Sequence, residues 1–329
     1  MKLAIVILNW NGEKLLETFL PSLVEHSKGH PIYIIDNGST DASVPLLKTQ
    51  FPTVQCIQLM RNFGYAGGYN EGLKHVNADV FCLLNSDIEV TKNWLKPIIE
   101  TFESNPNIAI IQPKILDYHN KTKFEYAGAG GGFIDQLGYP YCRGRIFNAI
   151  EEDHGQYNDQ KEVFWASGAC FFVKAHVFET LGGFDSKFFA HMEEIDLCWR
   201  AQNSGQKIYY VGSSTVYHVG GASLDASNPK KTYLNFRNSL YTLVKNTYSS
   251  VIFVVLSRLI LDGIAGIRFL LKGQPKHMLA ILKAHGVFYT ALPYLLRFRK
   301  QNSTRIELKL LTSILWSHFI SNISHFKKL

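Results

Sequence analysis

Two adjacent carboxylates in the second half of the chain could do acid–base chemistry. Glu193 and Glu194 open the segment E-E-I-D-L-C-W-R, whose apolar spacing is that of a helix. A carboxylate whose pKa is raised by burial and a like-charged neighbour can take a proton from a hydroxyl near neutral pH. Acids in a first helical turn also favour the helix dipole, so a structural role is the alternative. Asp196 and Arg200 stand four residues apart, which predicts a structural ion pair.

A second polar group follows an apolar run. The segment C-L-L-N-S-D-I-E-V covers residues 82–90 and places Asn85 and Asp87 after a strand-like stretch. Mg²⁺ and Mn²⁺ take oxygen ligands and bridge phosphate oxygens, so Asp87, alone or with Glu89, could hold such an ion beside a diphosphate. His218, at the end of another strand-like run, could add an imidazole ligand. The alternative for His218 is a core histidine with satisfied hydrogen bonds.

Polar residues also follow the first three apolar runs of the chain. Asn9 ends the first, Asp36 ends the second, and the third leads into R-N-F-G-Y-A-G-G-Y-N-E-G, which contains Asn62 and Gly67. Each of them alone could be a turn residue or a helix N-cap. The glycines let backbone amides approach a ligand and begin a helix, which suits a diphosphate. The spacing matches neither G-x-G-x-x-G after the first strand nor a P-loop, so hydride transfer and P-loop chemistry lose support.

These residues need a sheet that brings strand ends together, and the apolar pattern predicts one. The predicted strands are Leu3–Leu8, Ile32–Ile35, Val54–Leu59, Val80–Leu84 and Ile108–Gln112. The predicted helices between them are Glu13–Glu25, Ser43–Thr49, Tyr69–Val76 and Asn93–Ser104. Near-continuous apolar strands that alternate with amphipathic helices predict an α/β fold, a mainly parallel sheet with helices on both faces. Right-handed crossovers place the polar strand ends at one edge, where open α/β sheets bind ligands.

The second half of the predicted domain is less regular. Residues 117–160 are rich in Gly, Tyr and polar residues and predict loops and short hairpins. The elements predicted after them are a strand at Val163–Val173, helices at Ala175–Leu181 and Glu193–Asn203, short strands at Lys207–Val211 and Ser214–Val219, and helices from about Lys231 onward. Trp165, Ser167 and Gly168 fall in the first of these strands. A sugar face can stack on tryptophan, and glycine allows close approach; the alternative is a strand packed in the core.

The charge of the chain is divided unevenly. Residues 1–229 carry 18 Lys and Arg against 25 Asp and Glu, whereas residues 230–329 carry 16 against two acids. The basic C-terminal part is also rich in Leu, Ile, Phe and Tyr, which indicates an anionic partner there, a membrane surface or nucleic acid. The five cysteines form no C-x-x-C pair and predict reduced core thiols, as in the cytosol. The chain opens directly on a strand-like run, which argues against a secretory signal.

The stretch Val251–Leu271 is the transmembrane candidate by length. It carries Arg258, Asp262 and Arg268, and a charge near the bilayer centre costs about 2.5–3.5 kcal/mol. A helix that lies in the membrane interface, or packs on the catalytic domain, therefore fits better. A similarly apolar segment, Met278–Leu296, follows. The alternatives are a basic helical subdomain and attachment to the membrane surface, and the coincidence of apolar helices with positive charge favours attachment.

Together the motifs resemble family 2 glycosyltransferases, in particular the bacterial rhamnosyltransferases. The matching segments are I-L-N-W-N-G, I-D-N-G-S-T-D, R-N-F-G-Y-A-G-G-Y-N-E-G, L-L-N-S-D-I-E-V, W-A-S-G-A, G-G-F-D-S-K-F-F, E-E-I-D-L-C-W-R, V-Y-H-V-G-G and F-R-N, in the family's order. They span about residues 3–240. The resemblance implies a GT-A catalytic domain over residues 1–240. The C-terminal residues lie outside it, and their composition predicts a basic, apolar helical region over 241–329 that associates with membrane.

The resemblance also implies roles for the donor and metal residues. Asn9, Asp36, Asn62, Gly67 and Asn85 would contact the nucleotide of a nucleotide-diphosphate sugar. Asp87 matches the family's metal-binding acid, with Asn85 in place of the first acid of D-x-D. His218 matches a histidine that completes the shell of Mg²⁺ or Mn²⁺.

On the acceptor side, Glu194 matches the catalytic base, beside Glu193, where the family commonly has Glu-Asp. Trp165, Ser167, Gly168 and Arg237 would contact the sugar or the acceptor, and Arg237 would reach the diphosphate. The reaction implied is an inverting transfer of a sugar, with rhamnose as one candidate, to a hydroxyl of a growing or lipid-linked bacterial surface glycan. The expected location is the cytoplasmic face of the inner membrane.

Two other functions remain open at this stage. Asn85 for Asp and Glu194 for Asp leave room for a catalytically impaired nucleotide-sugar-binding protein on the same fold. The basic tail alone suggests a nucleic-acid enzyme, but no recognisable DNA- or RNA-binding motif accompanies it, so we expect no nucleic-acid partner.

Overall fold

A computed structural model describes residues 1–220, 228–301, 305, 307 and 311–329 of the chain. Gly221, the last residue of the V-Y-H-V-G-G motif, lies outside the described residues. The strands are β1 (Leu3–Asn9), β2 (Ile32–Asp36), β3 (Gln55–Gln58), β4 (Val80–Leu84), β5 (Ile88–Val90), β6 (Ile108–Asp117), β7 (Gly132–Ile134), β8 (Pro140–Cys142), β9 (Arg145–Ile146), β10 (Ala149–Ile150), β11 (Gln160–Glu162), β12 (Cys170–Lys174) and β13 (Lys207–His218). The helices are α1 (Glu13–His26), α2 (Ser43–Gln50), α3 (Gly64–Gly72), α4 (Leu95–Ser104), α5 (Ala175–Thr180), α6 (Glu193–Asn203), α7 (Pro229–Asn246), α8 (Val251–Leu271), α9 (Pro275–Gln301) and α10 (Ile314–Phe319).

The main sheet has nine strands in the described part of the chain. Its order is β11-β13-β6-β12-β4-β1-β2-β3, and β5 pairs with β13. β1, β2, β3 and β4 pair in parallel, as do β6 and β13, while β12 lies antiparallel between β4 and β6. The α/β prediction is therefore confirmed: strands of one direction predominate, and antiparallel strands interrupt the second half.

Both faces of this sheet are buried, as the near-continuous apolar strands predict. Val6 of β1 packs in one core layer with Leu83 and Phe171, whereas its neighbours Ile5 and Ile7 belong to the layer on the opposite face. Successive side chains of a strand point to opposite faces, so a strand covered on both sides must be apolar at every position. This arrangement leaves the strand ends as the place for polar residues.

Three details differ from the predicted elements. The strand predicted at Val163–Val173 begins only at Cys170, because the preceding residues leave the main sheet and Trp165 bridges to Gly132 instead. α3 begins five residues before the predicted Tyr69. The two short strands predicted between Lys207 and Val219 are one strand, β13, with an irregular register between Val211 and Thr215.

The segment 117–160 contains the four strands β7 to β10 of a second, small antiparallel sheet. This agrees with the predicted hairpins.

The C-terminal helices pack as a group, with α7 against α9, α8 and α6. Two of the three charges on α8 face the protein: the Arg258 Nε donates to Asp262 at 2.8 Å, and its guanidinium lies 3.8 Å from the ring centre of Tyr139. The third, Arg268, is exposed. Among the described residues, length and composition allow one helix to cross a membrane, and this is α9. The sequence analysis named Val251–Leu271 as the candidate by length and rejected a membrane span because of its three charges, and α8 fails this test accordingly. The helix that passes it, α9, contains the predicted apolar segment Met278–Leu296.

Candidate active site

The ends of β1 and β2 bring together two predicted nucleotide residues. The parallel register sets Asn9 opposite Asp36, and the Asn9 Nδ2 donates to the Asp36 carboxylate and to the Ser39 hydroxyl at 3.3 Å each. Both side chains are buried. The Asn9 Oδ1 is buried without a hydrogen-bond partner, and a side chain at Gly12 would come within 2.4 Å of it. Gly12 thus preserves space beside the unpaired Asn9 Oδ1 at this edge of the sheet, which we call the rim.

Asn62 and Gly67 lie at the next position along this rim, at the start of α3. The Asn62 Oδ1 accepts from the Gly64 amide at 2.7 Å and from the Asn37 side chain at 3.1 Å. This contact joins the start of α3 to the end of β2. Gly67 is buried inside α3.

The predicted phosphate contact at this helix start has less support. The amides of Tyr65 and Ala66 both donate to the Phe189 carbonyl, at 2.9 and 3.4 Å. These two amides are therefore occupied and do not point freely at a ligand.

The metal-binding prediction rests on Asp87 and His218, and the structure brings them into contact. The His218 Nε2 lies 3.2 Å from the Asp87 Oδ1 and 3.4 Å from the Asn85 side-chain nitrogen. Antiparallel pairing of β13 with β5 sets His218 opposite Ile88 and thus beside Asp87. Burial alone would raise the pKa of Asp87, but the hydrogen bond and charge of His218 outweigh it and lower that pKa. Glu89 points elsewhere and pairs with Lys121.

Asp87 and His218 remain the predicted ligands of a divalent cation. The described residues contain no group of three or more His, Cys, Asp or Glu side chains that could hold an ion. Mg²⁺ and Mn²⁺ sites in phosphate-handling enzymes commonly use one or two protein ligands and take the rest from substrate phosphates and water. Asp87 and His218 would supply that protein share once His218 gives up the proton that its carboxylate neighbours favour, because a metal-bound imidazole is neutral.

Glu125 contacts the other side of the His218 ring and was missed by the sequence analysis. Its carboxylate is buried and lies 3.4 Å from the His218 Nδ1, on the side of the ring opposite Asp87. The second carboxylate oxygen accepts from the Ala127 amide. Burial lowers the pKa of His218, but hydrogen bonds and charge from Asp87 and Glu125 reverse the effect and raise it to about 10. Glu125 comes from the irregular 117–160 segment, where no periodicity marks it.

The two predicted catalytic acids lie in the first turn of α6. Burial raises the pKa of Glu194 to about 7. Burial and the charge of Glu194 raise the pKa of Glu193 as well. Each side chain has one buried carboxylate oxygen without a hydrogen-bond partner. A carboxylate with these properties is suited to accept a proton at neutral pH.

Gly168 lies beside this base, whereas its neighbours have other contacts. A Cβ at Gly168 would be 3.9 Å from the Glu194 carboxyl carbon, and the Gly168 carbonyl accepts from the Tyr65 hydroxyl at 2.8 Å. Trp165 is buried against Gly132 and donates to the Phe133 carbonyl. Ser167 is buried and donates to the Ala127 carbonyl. The structure therefore brings Gly168 to the base but does not bring Trp165 or Ser167 there.

Tyr65 was quoted in the glycine-rich motif but given no role. Burial, Tyr69 and the charges of Glu193 and Glu194 raise its pKa. Its hydroxyl thus lies near the two acids as well as on Gly168.

Arg237 holds the loop that precedes α6. Its Nη2 donates to the carbonyls of Lys187 and Phe188 at 3.0 and 2.9 Å, and its Nη1 donates to the Tyr233 hydroxyl at 3.2 Å. Asn238 adds three donations to carbonyls of the same loop. These contacts fix the approach to Glu194; contact of Arg237 with a diphosphate remains a prediction.

The chain is similar to proteins of known activity. The model of glycosyl transferase family 2 matches residues 4–182. The low-salt glycan biosynthesis hexosyltransferase Agl10 of Haloferax volcanii is 25% identical over 244 residues, which cover 72% of this chain and 73% of that protein. The N-acetylglucosaminyl-diphospho-decaprenol L-rhamnosyltransferase of Mycobacterium tuberculosis is 25% identical over 258 residues, which cover 70% of this chain and 83% of that protein.

Solved structures share the fold. GalNAc-T7 with UDP, GalNAc and Mn²⁺ superposes with a TM-score of 0.63 at 15% identity, over 97% of this chain and 56% of that chain. S. aureus TarS 1–349 in complex with UDP-GlcNAc gives a TM-score of 0.57 at 14% identity, over 98% and 92%. These likenesses establish the GT-A fold. With the family model covering more than half of its length, the chain belongs to glycosyl transferase family 2.

Proposed function

We propose that this glycosyltransferase moves a sugar, with inversion, from a nucleoside-diphosphate donor to a hydroxyl of a lipid-linked or growing bacterial surface glycan. One observation carries the proposal: the segment 168–169 joins the proposed base to Asn85, the first residue of the Asn85-Ser86-Asp87 turn that carries the proposed metal-binding acid. Gly168 lies against Glu194, and the Ala169 carbonyl accepts from the amide of Asn85 at 3.0 Å. An acceptor hydroxyl and a departing diphosphate can therefore be held on the two sides of one short segment.

In the proposed reaction Glu194 takes the proton of the acceptor hydroxyl while the oxygen forms a bond to the anomeric carbon. The bond from that carbon to the diphosphate oxygen breaks on the opposite face, so the configuration inverts. Asp87 and His218 would hold Mg²⁺ or Mn²⁺, which when bound offsets negative charge on the departing group. Asn9, Asp36 and the loop at Asn62 and Gly67 would hold the nucleotide, and Glu193 supports Glu194 without bonding to the sugar.

The relatives support the classes of donor and acceptor. The mycobacterial relative is named as an L-rhamnosyltransferase that acts on N-acetylglucosaminyl-diphospho-decaprenol. The solved neighbours hold UDP or UDP-GlcNAc, and GalNAc-T7 also holds Mn²⁺. The first donors to test are therefore a nucleoside-diphosphate rhamnose and a UDP-sugar, and the first acceptor is a sugar linked to a lipid diphosphate.

Attachment to the inner face of the cytoplasmic membrane is part of the proposal. α8 buries the ion pair of Arg258 and Asp262, whereas its third charge, Arg268, is exposed. Eight apolar residues of the helix are 48–83% exposed, namely Ile252, Phe253, Leu256, Ile260, Ile264, Ile267, Leu270 and Leu271. Soluble proteins rarely expose such a contiguous apolar stripe. The surrounding positive charge suits anionic lipid headgroups, so the helix fits a position in the interface.

The discriminating experiment is a donor screen that measures released nucleoside diphosphate, with and without Mn²⁺, using a lipid-diphosphate-linked sugar as acceptor. We expect release that depends on both acceptor and metal, and loss of release in Glu194→Gln. Full turnover in Glu194→Gln would refute the assignment of the base. Donor binding without any turnover would favour the alternative, a nucleotide-sugar-binding protein, which the substitutions at Asn85 and Glu194 kept open.

A further inference from the structure

Three lysines near the active-site loop rest on aromatic rings instead of on carboxylates. The Nζ atoms lie 5.7 Å from the ring centre of Tyr294 for Lys187, 5.3 Å from Phe189 for Lys230, and 5.4 Å from Tyr233 for Lys283. Within the described residues, none of the three forms a salt bridge. We call Lys187, Lys230 and Lys283 the lysine cluster. Ring contacts orient an ammonium group but leave its charge uncompensated, so it can still bind an anion.

The cluster is built around a loop that leads to the base. Lys230, Tyr233 and Arg237 occur at helical spacing on one face of α7. Arg237 ties that face to the loop through the carbonyls of Lys187 and Phe188. The same loop ends at α6, whose first two residues are the catalytic acids. An anion held by the cluster would thus lie on the approach to Glu194.

Asp185, two residues before Lys187, is already neutralised. Asp185 accepts from the Lys245 Nζ at 2.7 Å and from the Tyr294 hydroxyl at 2.9 Å. Its side chain is largely buried in these contacts. It therefore compensates Lys245 inside the protein and leaves the charge of the exposed Lys187 above Tyr294 available.

Exposed hydrocarbon borders the cluster on α9. Leu279 lies one turn before Lys283 and Leu282 lies next to it, and both are more than half exposed. α8, which carries the exposed apolar stripe, packs against α9. A ligand that fits this border carries compact negative charge at one end and a hydrocarbon chain at the other.

We propose that the lysine cluster binds the diphosphate of a lipid-linked acceptor, whose hydrocarbon stays in the bilayer against α8 and α9 and whose sugar reaches Glu194. The inference rests on the proposed function, since it assigns the acceptor side of that site. It separates two diphosphates: the donor's lies at the rim of Asp87 and His218, and the acceptor's lies at the cluster. Lysine ammonium groups bind phosphate oxygens as point charges, with no need for a preformed fork.

The test compares binding of the full chain to three kinds of vesicle: phosphatidylcholine with a small fraction of geranylgeranyl diphosphate, with geranylgeranyl monophosphate, or with phosphatidylglycerol at matched charge. The variant is K187Q/K230Q/K283Q. The matched control is K272Q/K276Q/K300Q, which removes the same charge from exposed C-terminal lysines elsewhere. Thermal unfolding of both variants serves as the check on folding.

We expect the wild type to prefer diphosphate vesicles, and the cluster variant to lose at least about tenfold of that binding, since a lysine near an anionic surface contributes about 1 kcal/mol. The control variant should keep the preference. Equal losses in both variants, or equal binding to diphosphate and phosphatidylglycerol at matched charge, would overturn the proposal. Mn²⁺-dependent binding of the nucleoside diphosphate by the wild type is measured separately; its absence would instead count against the proposed function.

Discussion

Replacing Glu194 by Gln should remove activity and at the same time stabilise the protein. The free carboxylate accepts the proton in the proposed reaction, and positioned general bases contribute about 10²–10⁴-fold to the rate. Because burial raises the pKa of Glu194 to about 7, the wild-type rate should fall with decreasing pH below about 7 and level off above it. The Gln variant should lose roughly that factor of 10²–10⁴ and show no such pH dependence.

The stability effect follows from the same burial. The pKa of Glu194 rises from an ordinary 4.5 to about 7 on folding, so the folded state binds the proton more tightly than the unfolded state. Glu194 therefore does not change the free energy of unfolding below pH 4.5, where it is protonated in both states. Between pH 4.5 and pH 7 the free energy of unfolding falls as pH rises, and above pH 7 it is lower by at most about 3 kcal/mol. Glutamine does not titrate and escapes this cost.

Urea unfolding of wild type and Glu194→Gln across this pH range measures the effect, with nucleotide release measured in parallel. The matched control is Glu179→Gln, which changes an exposed acid on α5. A Gln variant whose advantage is the same at acidic and alkaline pH would refute the buried-carboxylate reasoning. A Gln variant that is more stable at alkaline pH but fully active would keep that reasoning and refute the catalytic role.

Three further predictions concern the metal ligands and the helix that carries the base. Asp87→Ala should abolish metal-dependent transfer with the fold intact, as shown by Mn²⁺ titration and circular dichroism; unchanged Mn²⁺ affinity would contradict it. Glu125→Gln should weaken Mn²⁺ binding about 10–100-fold, because outer partners orient a metal-ligating histidine; electron paramagnetic resonance of free Mn²⁺ measures this, and an unchanged affinity would show that Glu125 is only structural. Lys245→Met should destabilise the protein by about 3–5 kcal/mol, because it leaves Asp185 and Asp196 buried beside too few cations; a loss below 1 kcal/mol in urea unfolding would contradict it.

The sequence predicts this site well where a regular element positions the residue. Asn9 meets Asp36 because adjacent parallel strands end at the same level. His218 meets Asp87 because β13 returns antiparallel to β5. For the second contact the residues left a metal ligand and a core histidine both open, and the family resemblance favoured the ligand, since no local pattern reveals that pairing.

Other residues were misjudged for physical reasons. A tryptophan followed by small residues gives the same sequence pattern whether its ring contacts a sugar or a glycine of the protein. In this structure Gly132 lies against the Trp165 ring. Arg258 and Asp262 argue against a membrane span, but their spacing alone does not say that they turn inward while the hydrocarbon turns out. Which side of α8 turns inward depends on the surface that the helix packs against. Here that surface includes Tyr139, next to a strand of the small second sheet, and Arg258 lies on its ring.

The contacts of α6 explain why the C-terminal helices belong to the catalytic unit. The first turn holds Glu193 and Glu194 in surroundings that disfavour their charge, which costs stability. Asp196 of the same helix anchors it to α7. Burial alone would raise the pKa of Asp196, but the charges of Lys245 and Arg200 outweigh burial and lower that pKa. The Asn246 side chain donates a further hydrogen bond to Asp196 at 2.8 Å. Lys245 and Asn246 lie beyond residue 240, on a helix that runs through the proposed domain boundary without interruption. A division at 240 would leave Asp196 without two of its partners and so release the helix that aims the base. The region proposed to face lipid therefore also supports the two proposed catalytic acids, which couples the surface proposed to meet the acceptor's membrane to the residue proposed to activate the acceptor.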